Sequence, residues 1–338
     1  MKFGYYCKRS CEIIDLSQKP GNEMEDYRLA MFVHEHLMQA VYFAPRGKKR
    51  LLFLGTNIQQ RYLSPEDKLI GFVGDAGAGK SLLIRGMFPG LELTNDDDGI
   101  NIRPLPLMED ADRGHFRYHT YHLDVRFESA FTQPWKIAEA IQKAISTGHR
   151  VVVEHFDLVY TQLGINAEVL IGVGEEVIVT RPTVFGPEPH SIASIVFDSI
   201  KYRRMAHSAE DITSMILEEM GLEKPEVHSD IKHGFVLELP EKPDIDLDLV
   251  EQRVLDLIKA DLPISFANDG HIRVGEILYP CTGPRIHIRR SSEIKGFHLL
   301  KEFRFDPIAQ LYTIAGIVGE ETSPTRAVDL FGGYNRNI

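Results

Sequence analysis

Two hydrophobic periods alternate along this chain. Residues 25–41 carry Tyr27, Met31, His34, Leu37, Met38 and Val41 at the three-to-four spacing of a helix face. Residues 50–54 form a short apolar run closed by Gly55, which predicts a strand. Residues 69–73 predict a second strand, followed by a glycine-rich turn and an apolar helix that begins near Lys80. A short strand is expected over 91–94, an amphipathic helix over 129–146, and buried strands over 150–154, 167–173 and 176–180. From about residue 198 the character changes. Ile200, Met205, Ile212, Met215 and Ile216 mark one long helix over 198–220, stopped by Gly221. A strand over 233–240, an amphipathic helix over 248–262 and a last strand over 311–318 follow, and residues 322–338 read as a loose tail.

Strands alternating with helices predict an α/β fold: a doubly wound parallel sheet with its ligand at the C-terminal edge of the strands, then an α+β domain. The expected boundaries are 1–62 for an N-terminal extension or edge elements, 63–195 for the first domain, 196–310 for the second and 311–338 for a tail. A length of 338 residues suits about two domains at ~150 residues each.

The glycine-rich turn narrows the chemistry. Gly74, Gly79, Lys80 and Ser81 fit G-x-x-x-x-G-K-[ST], and the strand before and helix after supply the context that motif needs. The backbone from Gly74 through Asp75, Ala76, Gly77, Ala78 and Gly79 to Leu82 is expected to ring a phosphate with N–H groups, helped by the helix N-terminus. Lys80 can reach terminal phosphates and the Ser81 hydroxyl can hold Mg²⁺. Two carboxylate sources stand near: the acidic turn at Asp96, Asp97 and Asp98, and the end of strand 150–154 at Glu154, with Asp157 beyond it. Asp97 and Glu154 are the candidates for accepting a proton or organising Mg²⁺; the acidic turn reads equally as a helix cap. His115, His119 and His122 lie among aromatics, either as a metal cluster or in a loop over the nucleotide.

In the second half, His207 and Asp211 are four apart on the long helix and so share a face, while Cys281 and His287 flank a Gly-Pro turn. His-x3-Asp with Cys-x5-His matches a four-ligand zinc set; in the alternative, His207 pairs locally and Cys281 packs in the core. Cys7 and Cys11 either share a metal or remain thiols, and His34 and His36 face different sides of their helix.

Composition sets the outer limits. A net charge of −11 disfavours non-specific nucleic-acid binding, although Arg285, His287, Arg289, Arg290 and Lys295 form a local basic patch, read as either a groove or a solvated strand face. Only three cysteines, no long apolar span and no signal-like N-terminus lead to the expectation of a cytoplasmic protein without a membrane partner.

The glycine loop, acidic turn and 151–154 strand together resemble the P-loop kinases, especially the uridine kinase and phosphoribulokinase group, over residues 65–185. That resemblance implies ATP, Mg²⁺ and transfer of the γ-phosphoryl to a hydroxyl. Residues 198–305 resemble the second additional, or editing, domain of alanyl- and threonyl-tRNA synthetases. The likeness rests on Arg204-Met205-Ala206-His207-Ser208-Ala209-Glu210-Asp211 against its HTAxH helix, and on Cys281-Thr282-Gly283 with His287 to Phe297 against its closing motif. Asp211 stands where that family has a second histidine, and two extra residues separate Cys281 from His287. Three functions follow as expectations. The first is a phosphotransferase acting on a nucleoside, tRNA or aminoacyl group. The second is a deacylase of mischarged tRNA with a regulatory ATP site, and the third is an ATP-gated tRNA-binding module.

Overall fold

The computed structural model describes residues 39–94, 105–223 and 228–319. Residues 25–38 of the first expected helix, Cys7, Cys11, His34, His36 and Asp97 lie outside them. The fold is mixed α/β. In chain order the first half contains β1 (Ala40–Phe43), α1 (Lys48–Tyr62), β2 (Leu69–Gly74), α2 (Lys80–Met87), α3 (Pro106–Arg113) and β3 (Thr120–Asp124). It continues with α4 (Val125–Glu128), α5 (Pro134–Ser146), β4 (Arg150–Glu154), α6 (Tyr160–Leu163), β5 (Val169–Val173) and β6 (Glu176–Thr180).

These strands form one sheet in the order β1-β6-β5-β2-β4-β3. β2 to β5 run parallel, but β6 is antiparallel to β5, and β1 is antiparallel to β6. The sheet is therefore mixed, not wholly parallel as expected. Only Gly174 and Glu175 join β5 to β6, and a two-residue connection can close a hairpin but cannot make a parallel crossover. Alternate residues feed opposite faces: Leu69, Val73, Val151 and Val153 pack with Ile137, Ile141, Ile192 and Val196, while Ile70, Phe72 and Val152 pack with Leu51, Ile58, Leu83 and Ile84.

The run 50–54 is helical, within α1, and not a strand. Leu51, Leu54 and Ile58 form its buried side, a spacing hidden when the four apolar residues 51–54 are read alone. α1 and α2 cross at glycines: a Cβ on Gly55 would lie 2.3 Å from the Leu83 carbonyl oxygen, and one on Gly86 2.1 Å from that of Leu52. Residues 91–93 are not a strand, and His122 sits inside β3.

The second half comprises α7 (Pro189–Glu219), β7 (His228–Ile231), β8 (Gly234–Leu239), α8 (Leu247–Lys259), β9 (Ile264–Asn268), β10 (His271–Val274) and β11 (Ile277–Pro280), then β12 (His298–Leu299), β13 (Arg304–Asp306) and β14 (Leu311–Ile317). β12-β14-β8-β7 form an antiparallel sheet with β13 beside β14, and β9 to β11 form a three-stranded meander. β14 lies inside this sheet, so residues 311–317 are part of the second module and not of a tail. The expected boundary at 195/196 falls within α7, which is unbroken across it. Ile192, Ala193 and Val196 on α7 pack in the first half's core, whereas Ala206, Ala209, Ile212 and Ile216 pack with Phe235, Leu237, Val250 and Ile314 in the second.

Candidate functional site

β2 ends at Gly74, and the chain turns through 75–79 before α2 begins at Lys80. Gly77 and Gly79 take φ values of +76° and +98°, where a side chain is strained. The turn faces a cavity of about 780 Å³, lined in part by Ala76, Gly77, Gly79, Lys80, Ser81, Leu82 and Glu154. Asp75 points elsewhere: its carboxylate accepts a hydrogen bond from Arg204 Nη2 at 2.9 Å. Burial opposes its charge, but the Ala76 N–H and Arg204 outweigh that and hold it below the ordinary carboxylate range.

Lys80 is buried and donates to the carbonyl oxygens of Gly74 and Asp75 at 3.2 and 3.1 Å, with Glu154 Oε2 3.6 Å away. Ser81 Oγ donates to Glu154 Oε1 at 3.1 Å. On the neighbouring strand, the Thr94 N–H donates to His122 Nδ1 at 2.9 Å, so the His122 proton sits on Nε2 and is directed at Glu154 Oε1, 3.2 Å away. Burial alone would push the Glu154 pKa up. His122, Lys80 and Ser81 overcome it and bring the carboxyl down to about 2. Asp124, Glu154 and His155 place one ligand atom each within 4.8 Å of one another at the ends of β3 and β4, a group able to hold a metal. Burial and then Lys80 lower the His155 pKa.

Asp124 was not singled out by the sequence, because its value depends on β3 lying beside β4. The expected histidine trio does not form: His115 and His119 are exposed, apart from buried His122. Asp157 does not line the cavity.

The second site is the quartet His207, Asp211, Cys281 and His287, whose ligand atoms all lie within 4.8 Å of one another. Cys281 Sγ is 3.3 Å from His207 Nε2 and 3.8 Å from His287 Nε2, and Asp211 Oδ2 is 3.0 Å from His287 Nε2. Tetrahedral bonds of about 2.0–2.3 Å separate ligand atoms by about 3.3–3.8 Å; both Cys281 distances fall in that range and the Asp211–His287 contact would open by a few tenths of an ångström, so the donor set fits zinc. The shorter reach of aspartate is met by α7, which brings Asp211 directly against His287. Glu210 Oε2 lies 3.2 Å from His207 Nδ1 and the Gly283 carbonyl oxygen 3.2 Å from Nε2; with the proton on Nδ1, toward Glu210, Nε2 would be the donor atom to a metal. Arg46 Nε in turn lies 2.9 Å from Glu210 Oε2. His287 Nδ1 is buried without a partner among the described residues.

Electrostatically the quartet suits a cation. Burial and the Asp211 carboxylate push the Cys281 thiol far up, and burial lowers His207. Burial opposes the Asp211 charge too, yet His207 and His287 hold that carboxyl low. A metal ion in their midst would reverse the penalty on thiolate.

The basic patch is not a strand face. Arg290 Nε donates to Asp261 at 2.7 Å, whereas Arg285, His287, Arg289 and Lys295 border a second cavity, of about 690 Å³, with Lys201 and Arg204. No helix among the described residues is long and apolar enough to cross a membrane.

No protein-family model matches the chain, and no curated protein matches it. Among solved structures, a SepCysS–SepCysE N-terminal domain complex is 10% identical over 70% of this chain and 71% of its own, at a TM-score of 0.22. N-acetylornithine aminotransferase from Stenotrophomonas maltophilia K279a is 10% identical over 77% and 74%, at 0.22. Ornithine aminotransferase from Toxoplasma gondii ME49 is 12% identical over 77% and 70%, at 0.21. Likenesses this slight carry neither fold nor function.

Proposed function

We propose that the chain is an ATP-dependent phosphotransferase of the P-loop kinase kind, joined to a module of the tRNA-synthetase editing type. One observation carries the reading: Lys80, Ser81 and Glu154 meet at the C-terminal edge of parallel strands β2 and β4, beside a glycine turn open to a cavity. The backbone of 76–79 cradles phosphate oxygens, and Lys80 leaves its carbonyl partners to meet the terminal phosphates. Mg²⁺, when bound, neutralises phosphate charge; Ser81, Glu154 and Asp124 are the residues to hold it. Glu154, ionised and held by His122, orients an attacking hydroxyl; a carboxyl lowered to about 2 is a weak acceptor for its proton. The cavity bordered by Lys201, Arg204, Arg289 and Lys295 supports an anionic acceptor, such as a nucleotide or a tRNA end.

The deacylase reading draws on the convergence of His207, Asp211, Cys281 and His287. Four protein ligands fill a tetrahedron, however, and a hydrolytic zinc keeps one position for water, so the quartet favours a structural ion.

Calorimetry with Mg-ATP tests the nucleotide site: wild type binds, Lys80→Ala abolishes most affinity and Ser81→Ala weakens it when Mg²⁺ is present. Equal affinity in all three overturns the reading. Labelled ATP offered with nucleosides and with total tRNA then identifies the acceptor.

A further inference from the structure

The residues 281–287 belong to two sites at once. Cys281 and His287, at the ends, are half of the metal-binding quartet, and the intervening 282–286 line the cavity around the glycine turn. The approach is at backbone distance. A Cβ on Gly77 would lie 3.3 Å from the Arg285 carbonyl oxygen, and one on Gly47 3.2 Å from Thr282 Oγ1. Ile286 is 6% exposed and packs in the core with Leu51, Ala78 and Leu83, so the turn is fastened to the phosphate-loop side one residue before a metal ligand.

Arg285 stands on the cavity wall. Its guanidinium lies over the Phe266 ring at 4.6 Å, and Nη2 is 3.5 Å from Asp269 Oδ1. Asp269 also accepts a hydrogen bond from Lys48 Nζ at 2.9 Å. Lys48, Asp269 and Arg285 all line the same cavity as Lys80, so two cations share one carboxylate at its wall. A polyphosphate seated on the glycine turn offers these cations more negative charge than Asp269 does.

A second element runs from the quartet to the same turn. On α7, one helical turn before His207, Arg203 Nη1 donates to the Ala78 carbonyl oxygen at 2.8 Å, and Arg204 holds Asp75.

We propose that Arg285 is a phosphate-binding residue of the nucleotide site, and that the metal bound by His207, Asp211, Cys281 and His287 is what holds it there. Metal loading and nucleotide affinity are then linked, each raising the other by the same factor. The proposal rests on the nucleotide reading above and extends it to a residue outside the loop. The protein's own ties on the turn at this quartet, Gly283 N–H to Cys281 Sγ at 3.3 Å, His207 Nε2 to the Gly283 carbonyl oxygen at 3.2 Å and His287 to Asp211 at 3.0 Å, are weaker than two coordinate bonds.

The test is Mg-ATP calorimetry on the full chain, zinc-loaded and zinc-stripped, for wild type, Arg285→Ala and Lys80→Ala, with zinc content measured on each sample. Stripping is expected to weaken Mg-ATP about tenfold in wild type. Arg285→Ala is expected to keep its zinc, to lose about the same factor when loaded, and to lose less than about twofold more on stripping. Loaded Arg285→Ala alone decides the matter if the stripped chain unfolds: wild-type affinity there overturns the proposal. So does a tenfold zinc effect that survives in Arg285→Ala. Binding that Lys80→Ala abolishes but neither Arg285 nor zinc affects defeats this proposal and leaves the nucleotide reading standing. No Mg-ATP binding in any form defeats both.

Discussion

Arg46 Nε lies 2.9 Å from Glu210 Oε2, with both side chains 2% exposed. The pair joins the segment two residues ahead of α1 to the carboxylate beside His207. Arg46→Met would leave that carboxylate buried without its cation, at an expected cost of about 3–5 kcal/mol in urea unfolding. Because Glu210 stands behind a ligand, zinc affinity should fall about 10–100-fold as well. A variant matching wild type in both would show that the pair is incidental.

Glu154→Gln should lower phosphoryl transfer by roughly 10²–10⁴, with Mg-ATP affinity falling no further than in Ser81→Ala. The carboxyl is depressed to about 2 from an ordinary 4.5, so its contribution to stability is present above pH 4.5 and lost as pH falls toward 2. A pH–rate profile should therefore show no Glu154 ionisation above about pH 3. A wild-type turnover rate in Glu154→Gln would remove the residue from the mechanism.

The loop and Glu154 were legible because each is local: a motif with its strand and helix, and an acid at the end of a buried run. The quartet was legible through two short spacings, His207 to Asp211 and Cys281 to His287. Asp124, His122 and Arg46 were not, since their roles arise from strands and turns that meet only on folding. α1 was misread because a five-residue window is too short to separate the two periods. The antiparallel β6 was open to inference from the brevity of the Gly174-Glu175 link.

Protein purified without chelator should carry about one equivalent of zinc, with ligand distances of about 2.0–2.3 Å by X-ray absorption. Cys281→Ser should lose most of it. Less than about a tenth of an equivalent in both would mean that the four side chains satisfy one another without a metal.

Burial, assisted by Glu176, pushes Glu175 up to about 7 despite the His233 backbone N–H, Lys232 and Arg46, which act the other way. A raised carboxyl contributes stability below its ordinary 4.5 that is lost as pH rises through 7. Glu175→Gln should flatten urea-unfolding stability between pH 5 and pH 8 and exceed wild type at pH 8 by on the order of 2 kcal/mol. An unchanged slope would place the titration elsewhere.

α7 runs unbroken for 31 residues, about 46 Å at 1.5 Å per residue, with one end in each core. A rod anchored at both ends leaves no hinge along α7. Jaw-like closure about α7 would strain an intact helix, so sealing of the cavity falls to side chains and loops at its mouth. The same rod makes dissection costly. A cut near residue 195 strips an apolar helix face from each fragment, and the intact chain should melt in one transition.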